Sequence, residues 1–249
     1  MPSNEKLDAS VRKAVRHFWK TQGSQGDANR AGARADHGRR SSVTGGKHMD
    51  GFFDLFRSLV RAAGVSDADI FTNSGRELPG YFRPTKQWDV LVVVKGRLLA
   101  VIETKSMASS FSNNFNNRVE EAIGSAVDLR TAYREGAYGA SADPWLGYLM
   151  LIVDSEASRT RGLQHKEPHF RVFTEFSGAP YLGRAELLCR RLVRERHYNG
   201  AACLWAPDSK RARGEYHEPA EDLTFRGLAA SLVAHCAAFK SMTTDRPDR

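Results

Sequence analysis

The chain is poor in cysteine: only Cys189, Cys203 and Cys236 occur among 249 residues, with no C-x-x-C pair. That count argues against a disulfide framework or a structural zinc site and predicts a reducing compartment. No run approaches 18 apolar residues and the N-terminus has no apolar signal core, so a soluble, cytoplasmic protein without membrane partners is expected. There is no G-x-S-x-G elbow, and Gly45-Gly46-Lys47 lacks the preceding glycine of a phosphate-binding loop, which argues against a serine hydrolase and against ATP use. His165 and His169 lie four apart, but Pro168 spoils a helical ligand pair and leaves them as surface or structural residues. Acids are the scarcer charge, 29 against 37 Lys and Arg, for a net of +8. The excess suits a polyanionic partner without proving one.

Hydrophobic residues make up 41% of the chain, enough for a sizeable core and too many for wholesale disorder. The positive charge is clustered. Residues 12–47 carry nine Lys or Arg against Asp27 and Asp36, a net of +7, and residues 184–213 carry eight against three acids, a net of +5. Apolar periodicity predicts helices over Leu7–Lys20, Met49–Ala63, Asn113 or Asn114 to about Arg134, Ala185–Tyr198 and Leu223–Lys240. On the third of these, Val119, Ile123, Ala126, Val127 and Leu129 are expected to face inward. Thr21–Gly46 loses periodicity and reads as a long loop or flexible basic arm; residues 69–82 read as turn-rich. Strands are predicted at Val90–Val94, Leu98–Ile102, Trp145–Val153, His169–Phe176 and Ala201–Trp205. Strands interleaved with helices over this length indicate a single α/β domain, residues 1–249, with a central mixed sheet flanked by helices. The stripe Phe225, Leu228, Leu232, Cys236 and Phe239 is core or, less simply, a subunit interface.

The densest chemistry lies at one end of the Val90–Ile102 hairpin. Trp88-Asp89 precedes its first strand, and Glu103-Thr104-Lys105 follows its second, fourteen positions after the aspartate. Charges at the mouth of a buried hairpin are expensive unless they hold something. Register decides whether the acids cooperate, since a one-residue slip moves a side chain to the other face. A two-residue turn at Lys95-Gly96 places Asp89 opposite Ile102 and separates the acids. A three-residue loop, Val94-Lys95-Gly96, makes Glu103 a diagonal neighbour of Asp89 on the same face, roughly 7–8 Å away. The sequence permits this cluster without forcing it. Two carboxylates so placed suit Mg2+, which keeps waters and recruits phosphate oxygens, and Lys105 on the face of Glu103 suits phosphate charge. The pattern is that of a metal-dependent phosphodiesterase. Ser109 to Arg118 then offers Asn113, Asn114, Asn116, Asn117 and Arg118 at a helix start, more amides than one cap needs and suited to base edges and phosphates.

Asp89, Glu103 and Lys105 resemble the PD-(D/E)xK nuclease superfamily, with Trp88-Asp89 standing for the usual Pro-Asp. Residues 45–51 (GGKHMDG), 78–86 (LPGYFRPTK), 113–118 (NNFNNR) with Glu120-Glu121-Ala122, and 144–148 (PWLGY) more specifically resemble the XhoI family of type II restriction endonucleases. The likeness runs from about residue 45 to 205; residues 21–44 carry none of it. It implies a restriction-endonuclease-like fold and a homodimer cutting double-stranded DNA at CTCGAG after the first C. It also implies 5′ TCGA extensions, 5′-phosphates, Mg2+ dependence and a companion methyltransferase guarding host DNA. Asp89, Glu103 and Lys105 are then the catalytic residues, with Asp89 and Glu103 on the metal and Glu77 or Asp50 as a further acid. The DNA contacts are Asn113, Asn114, Asn116, Asn117, Arg118 and Lys86. Two alternatives stand beside this reading: a structure-specific repair or junction nuclease of the same superfamily, and a non-catalytic DNA-binding protein whose trio is a surface ion cluster.

Overall fold

A computed structural model describes residues 1–31, 47–160, 167, 169–208 and 214–244. Its centre is a five-stranded sheet in the order β1 (Ile70–Phe71), β4 (Val90–Val94), β5 (Arg97–Met107), β6 (Trp145–Asp154) and β7 (Gly200–Pro207). The pairs β1/β4 and β4/β5 are antiparallel, whereas β5/β6 and β6/β7 are parallel, so the sheet is mixed as expected. A separate hairpin pairs β2 (Glu77–Pro79) with β3 (Thr85–Gln87) in the stretch read as turns. Three strand residues on either side are too few for alternation to be legible.

Helices cover both faces. α1 (Asn4–Ala31), α2 (Asp50–Ala62) and α6 (Phe225–Thr244) pack on one face, against Val90, Val92, Ile102, Leu149, Leu151 and Leu204. α3 (Phe111–Arg134) and α5 (Tyr181–Arg194) cover the other, against Leu91, Val101, Tyr148, Met150 and Ile152. Strand β6 is buried along its whole length, the pattern of a central strand with a helical layer on each side. α4 (Glu156–Arg159) is a single turn whose Ser155 and Ser158 cap each other. Phe225, Leu228, Leu232, Cys236 and Phe239 are all buried in the core and offer no subunit surface.

Four local expectations are corrected. Helix α1 continues through Ala31, so residues 21–31 are not a loop; once a helix is nucleated each further residue adds a hydrogen bond, and Gly23 and Gly26 at about 1 kcal/mol each do not stop it. The rest of the basic arm, residues 32–46, lies outside the described residues, as does His165. Residues 169–173 form no strand: Phe170 and Phe173 are exposed, no neighbouring strand supplies hydrogen bonds, and residues 174–176 make a 3-10 turn. Neither Asn113 nor Asn114 caps α3. The helix starts at Phe111 after Ser110, whose carbonyl accepts both asparagine N–H groups at 3.2 and 3.1 Å. The inward face of α3 is Phe111, Phe115, Ala122, Ala126 and Leu129, leaving Ile123 and Val127 partly exposed and Val119 only packed against the core edge.

Candidate active site

The β4–β5 hairpin reaches the right face by a different route from the one expected. Its turn has two residues, Lys95 and Gly96, both with positive φ (50° and 73°), and pairs Val94 with Arg97 and Val93 with Leu98. The three-residue loop is therefore corrected. A bulge then inserts Leu99, so that Val92 pairs with Ala100, Leu91 with Val101 and Val90 with Ile102. Leu99 and Ala100 consequently both pack on the α1/α2/α6 side, while Leu98 and Val101 pack on the α3/α5 side. The ladder ends with Val90 opposite Ile102, and Asp89, in the bend just before it, meets the start of Glu103-Thr104-Lys105. The extra residue does what the longer loop would have done.

Strand β4 begins only at Val90, so β5 runs on from Glu103 to Met107 without an antiparallel neighbour, and a cavity of about 260 Å³ opens beside it. Asp89, Thr104, Lys105, Ser106, Arg118 and His48 line it. Thr104 positions Asp89: its backbone N–H and its hydroxyl both donate to Oδ2, at 2.7 and 2.9 Å. Burial first, and the Glu103 charge second, push the Asp89 carboxyl up to about 6, against the opposing pull of Lys105 and the Thr104 donors. Glu103 is 2% exposed and carries two ammonium groups. Lys105 Nζ donates to Oε1, and Lys86 Nζ to Oε2 at 3.1 Å while stacking 4.3 Å over the Trp88 ring. Burial opposes the Glu103 charge, but the two lysines prevail and hold its carboxyl below the ordinary value. Lys105, resisted by burial, is in turn raised by Glu103 and remains an ammonium at neutral pH.

The structure thus brings Asp89, Glu103, Lys105, Lys86 and Arg118 to one place. Lys86 reaches the site by donating to Glu103. Asn113, Asn116 and Asn117 are exposed on the first turns of α3; Asn114 is half-buried, its amide 3.5 Å from the Ser109 carbonyl. Neither proposed extra acid lines the cavity. Asp50 opens α2, and exposed Glu77 accepts from the Gln87 amide at 3.2 Å across the small hairpin. Among the described residues no three His, Cys, Asp or Glu side chains converge as a metal cage. Two carboxylates remain, a set that fits an ion keeping several waters and substrate oxygens of its own.

Three residues of the site were not singled out from the sequence for their chemistry. Thr104 lies between the two charged residues and shows its value only once Asp89 is level with it. Glu121 sits 3.9 Å from Lys105 and pairs with Arg118 at 2.7 Å. His48 reaches over from the turn before α2, its Nε2 2.7 Å from Ser106 Oγ. Burial, then the charges of Arg118 and His17, lower its pKa and keep the ring neutral. Among the described residues His48 Nδ1 and Arg118 Nε, both buried, find no hydrogen-bond partner, and both belong to side chains of the cavity wall. Buried polar atoms of this kind call for a ligand or water.

Comparison with known proteins gives this arrangement a family. The profile described as restriction endonuclease XhoI matches residues 28–218, which include every residue of the cavity. The type II restriction enzyme BstVI of Geobacillus stearothermophilus is 46% identical over 215 residues, 84% of this chain and 96% of the relative. The type II restriction enzyme XhoI of Xanthomonas vasicola is 46% identical over 190 residues, 75% of each chain. The type II restriction enzyme AbrI of Azospirillum brasilense is 43% identical over 178 residues, 71% of this chain and 79% of the relative. No solved structure matches the chain. Among the described residues no helix is long and apolar enough to cross a membrane. The sheet, the acids at its open edge and the extent of these matches agree, and the chain belongs to the XhoI family of type II restriction endonucleases.

Proposed function

We propose that the chain hydrolyses double-stranded DNA at CTCGAG after the first C, with Mg2+ as cofactor, leaving 5′ TCGA extensions and 5′-phosphates. The resemblance to the XhoI family suggests the sequence, the cut position and the ion. The chemistry rests on one observation: Asp89, Glu103 and Lys105 meet at the open edge of β5, where a backbone phosphate can enter. A palindromic site suits a two-fold homodimer in which each subunit cuts one strand, and host DNA is guarded by a companion methyltransferase.

Asp89 and Glu103 would hold the ion. When bound, Mg2+ acidifies a coordinated water and neutralises charge on the phosphate. Thr104 fixes one oxygen of Asp89 and so aims the other. Lys105, charged at neutral pH, donates to a phosphoryl oxygen and orients the attacking water, and Lys86 adds a second positive charge beside Glu103. With Ser106 donating to His48 Nε2, the neutral ring carries its proton on Nδ1. That proton and Arg118 Nε–H are then donors for phosphate oxygens. Met49 and Phe53 supply the apolar part of the cavity wall and limit water there, which strengthens each of these contacts.

Digesting a long phage DNA with Mg2+ and sequencing the ends tests the proposal. Discrete fragments ending in 5′-TCGA are expected, with none formed in EDTA. A random smear rules out restriction activity, and discrete ends at another sequence rule out the CTCGAG assignment.

A further inference from the structure

The loop Gly80–Pro84 joining β2 to β3 is built to hold two aromatic rings in solvent. Tyr81 is 53% and Phe82 68% exposed, and their rings stand edge to face 5.0 Å apart. Beneath them lies the buried carboxylate of Asp128 on α3. The backbone N–H groups of Tyr81 and Phe82 both donate to Asp128 Oδ1 at 2.8 Å, and Arg83 Nε donates to Oδ2 at 2.8 Å. Tyr138 donates its hydroxyl to the Pro79 carbonyl at 2.8 Å. Gly80 admits no larger residue, since a Cβ there would sit 2.6 Å from Asp128 Oδ2 and 2.8 Å from the Arg83 carbonyl. A buried carboxylate with three donors fixes this tip, yet its largest side chains are left out of the core. Exposed aromatic surface on a pinned loop marks a contact site.

Its position names the partner. On α3, Glu121 lies 3.9 Å from Lys105, and Asp128 follows seven residues later, two turns along the same face. At 1.5 Å per residue Asp128 lies about 10 Å along the helix axis from Glu121, so the tip's anchor is two helical turns from the Glu121–Lys105 contact. The same hairpin carries Lys86 onto Glu103, which ties the tip to the cluster. Arg83 stays partly exposed beside the rings while pairing with Asp128, and aromatic rings beside cations are the means by which proteins stack on or wedge between bases.

We propose that the Gly80–Pro84 tip is a DNA-reading wedge, with Tyr81 and Phe82 packing against bases near the scissile phosphate, Asp128 being its positioning residue. The inference rests on the reading of the cluster as a DNA-cutting site. The test compares wild type, Tyr81→Ala, Phe82→Ala and Phe82→Trp on the same long phage DNA with Mg2+. In parallel, a duplex spanning the wild-type cut site carries 2-aminopurine at each of the five pairs on either side of the cut and is bound in Ca2+. Both aromatics are exposed, so unfolding midpoints should match the wild type. The expected result is a 10- to 100-fold loss of kcat/KM in the alanine variants, retention in Phe82→Trp, and a wild-type 2-aminopurine signal confined to one or two adjacent pairs of the ten that Phe82→Ala abolishes. Equal cleavage by Phe82→Ala, or lost cleavage with the fluorescence unchanged, overturns the wedge while leaving the nuclease standing. A variant that sediments as a smaller species than the wild type shows the tip to be a subunit contact and also overturns it. A wild type that cuts no DNA overturns the underlying reading and the wedge with it.

Discussion

Replacing Asp89 by Asn should make the metal-free protein more stable while abolishing cleavage. In the folded protein the Asp89 carboxyl is pushed up to about 6, from an ordinary 3.8. A carboxyl whose folded pKa is raised favours folding below its unfolded pKa, and that contribution is lost as pH rises through the folded pKa. The window is therefore about pH 4 to 6, and above it the wild type carries the full penalty of an ionised, desolvated aspartate. At 1.36 kcal/mol per pH unit, a separation of about two units bounds the penalty at about 3 kcal/mol. Asparagine keeps the shape, and its carbonyl oxygen can accept both Thr104 donors, so about 1–3 kcal/mol should be recovered at pH 8. Urea unfolding in EDTA at pH 4.5 and pH 8 measures this. The variant should gain on the wild type by more at pH 8 than at pH 4.5, where only about a third of the penalty is yet present, and Mg2+ should stabilise the wild type but not the variant. An Asp89→Asn protein no more stable than wild type at pH 8 would refute the reasoning, for the aspartate would then be comfortable in its charged form.

Lys105→Ala should keep site-specific binding in a gel-shift assay while cleavage falls by at least about a hundred-fold; cleavage near the wild-type rate would leave the cluster a mere surface feature. Lys86→Ala strips one of two cations from buried Glu103 and should cost about 1–3 kcal/mol in EDTA, with Mg2+ recovering most of the loss in a thermal melt. Gly80→Ala forces a Cβ against Asp128 and Arg83 and should impair DNA cleavage more than it lowers the unfolding midpoint, as the tip is loosened but the core is not touched. Digestion rates and melting curves on the same preparation separate those two effects.

What the sequence could reveal follows the range of the forces involved. The apolar run of β6 and the amphipathic stripes of α2, α5 and α6 are legible because each records its own burial at a fixed period. The pairing of Asp89 with Glu103 was half legible. Their presence at one end of a hairpin follows from spacing, but their shared face depends on Leu99, a bulge residue no local signal marks. The bulge forms because Leu99 and Ala100 both find room against the α1/α2/α6 side, which only the assembled core decides. Alternation misled at 169–176, because a strand also needs a neighbour to receive its hydrogen bonds. His48 and Asp128 act across 58 and 47 residues of sequence, and nothing local to either names its partner.

The charges around the cavity explain why such a site can persist in a folded protein. Asp89, Glu103 and Glu121 face Lys86, Lys105 and Arg118, three acids against three bases in a connected set. Without an ion the cluster is close to neutral, so Glu103 can be almost wholly buried at tolerable cost. A divalent ion held by Asp89 and Glu103 would add two positive charges in a place with little water. One phosphate supplies only one compensating charge, so the ion would draw a second phosphate or another anion toward Lys86 and Arg118. Ion and DNA would then each raise the affinity for the other, by the same factor. The penalty at Asp89 would be relieved in the same event, because its carboxylate would gain the positive partner that Lys105 supplies only in part. The residue that weakens the resting fold would then be the one that gives the ion its reason to bind.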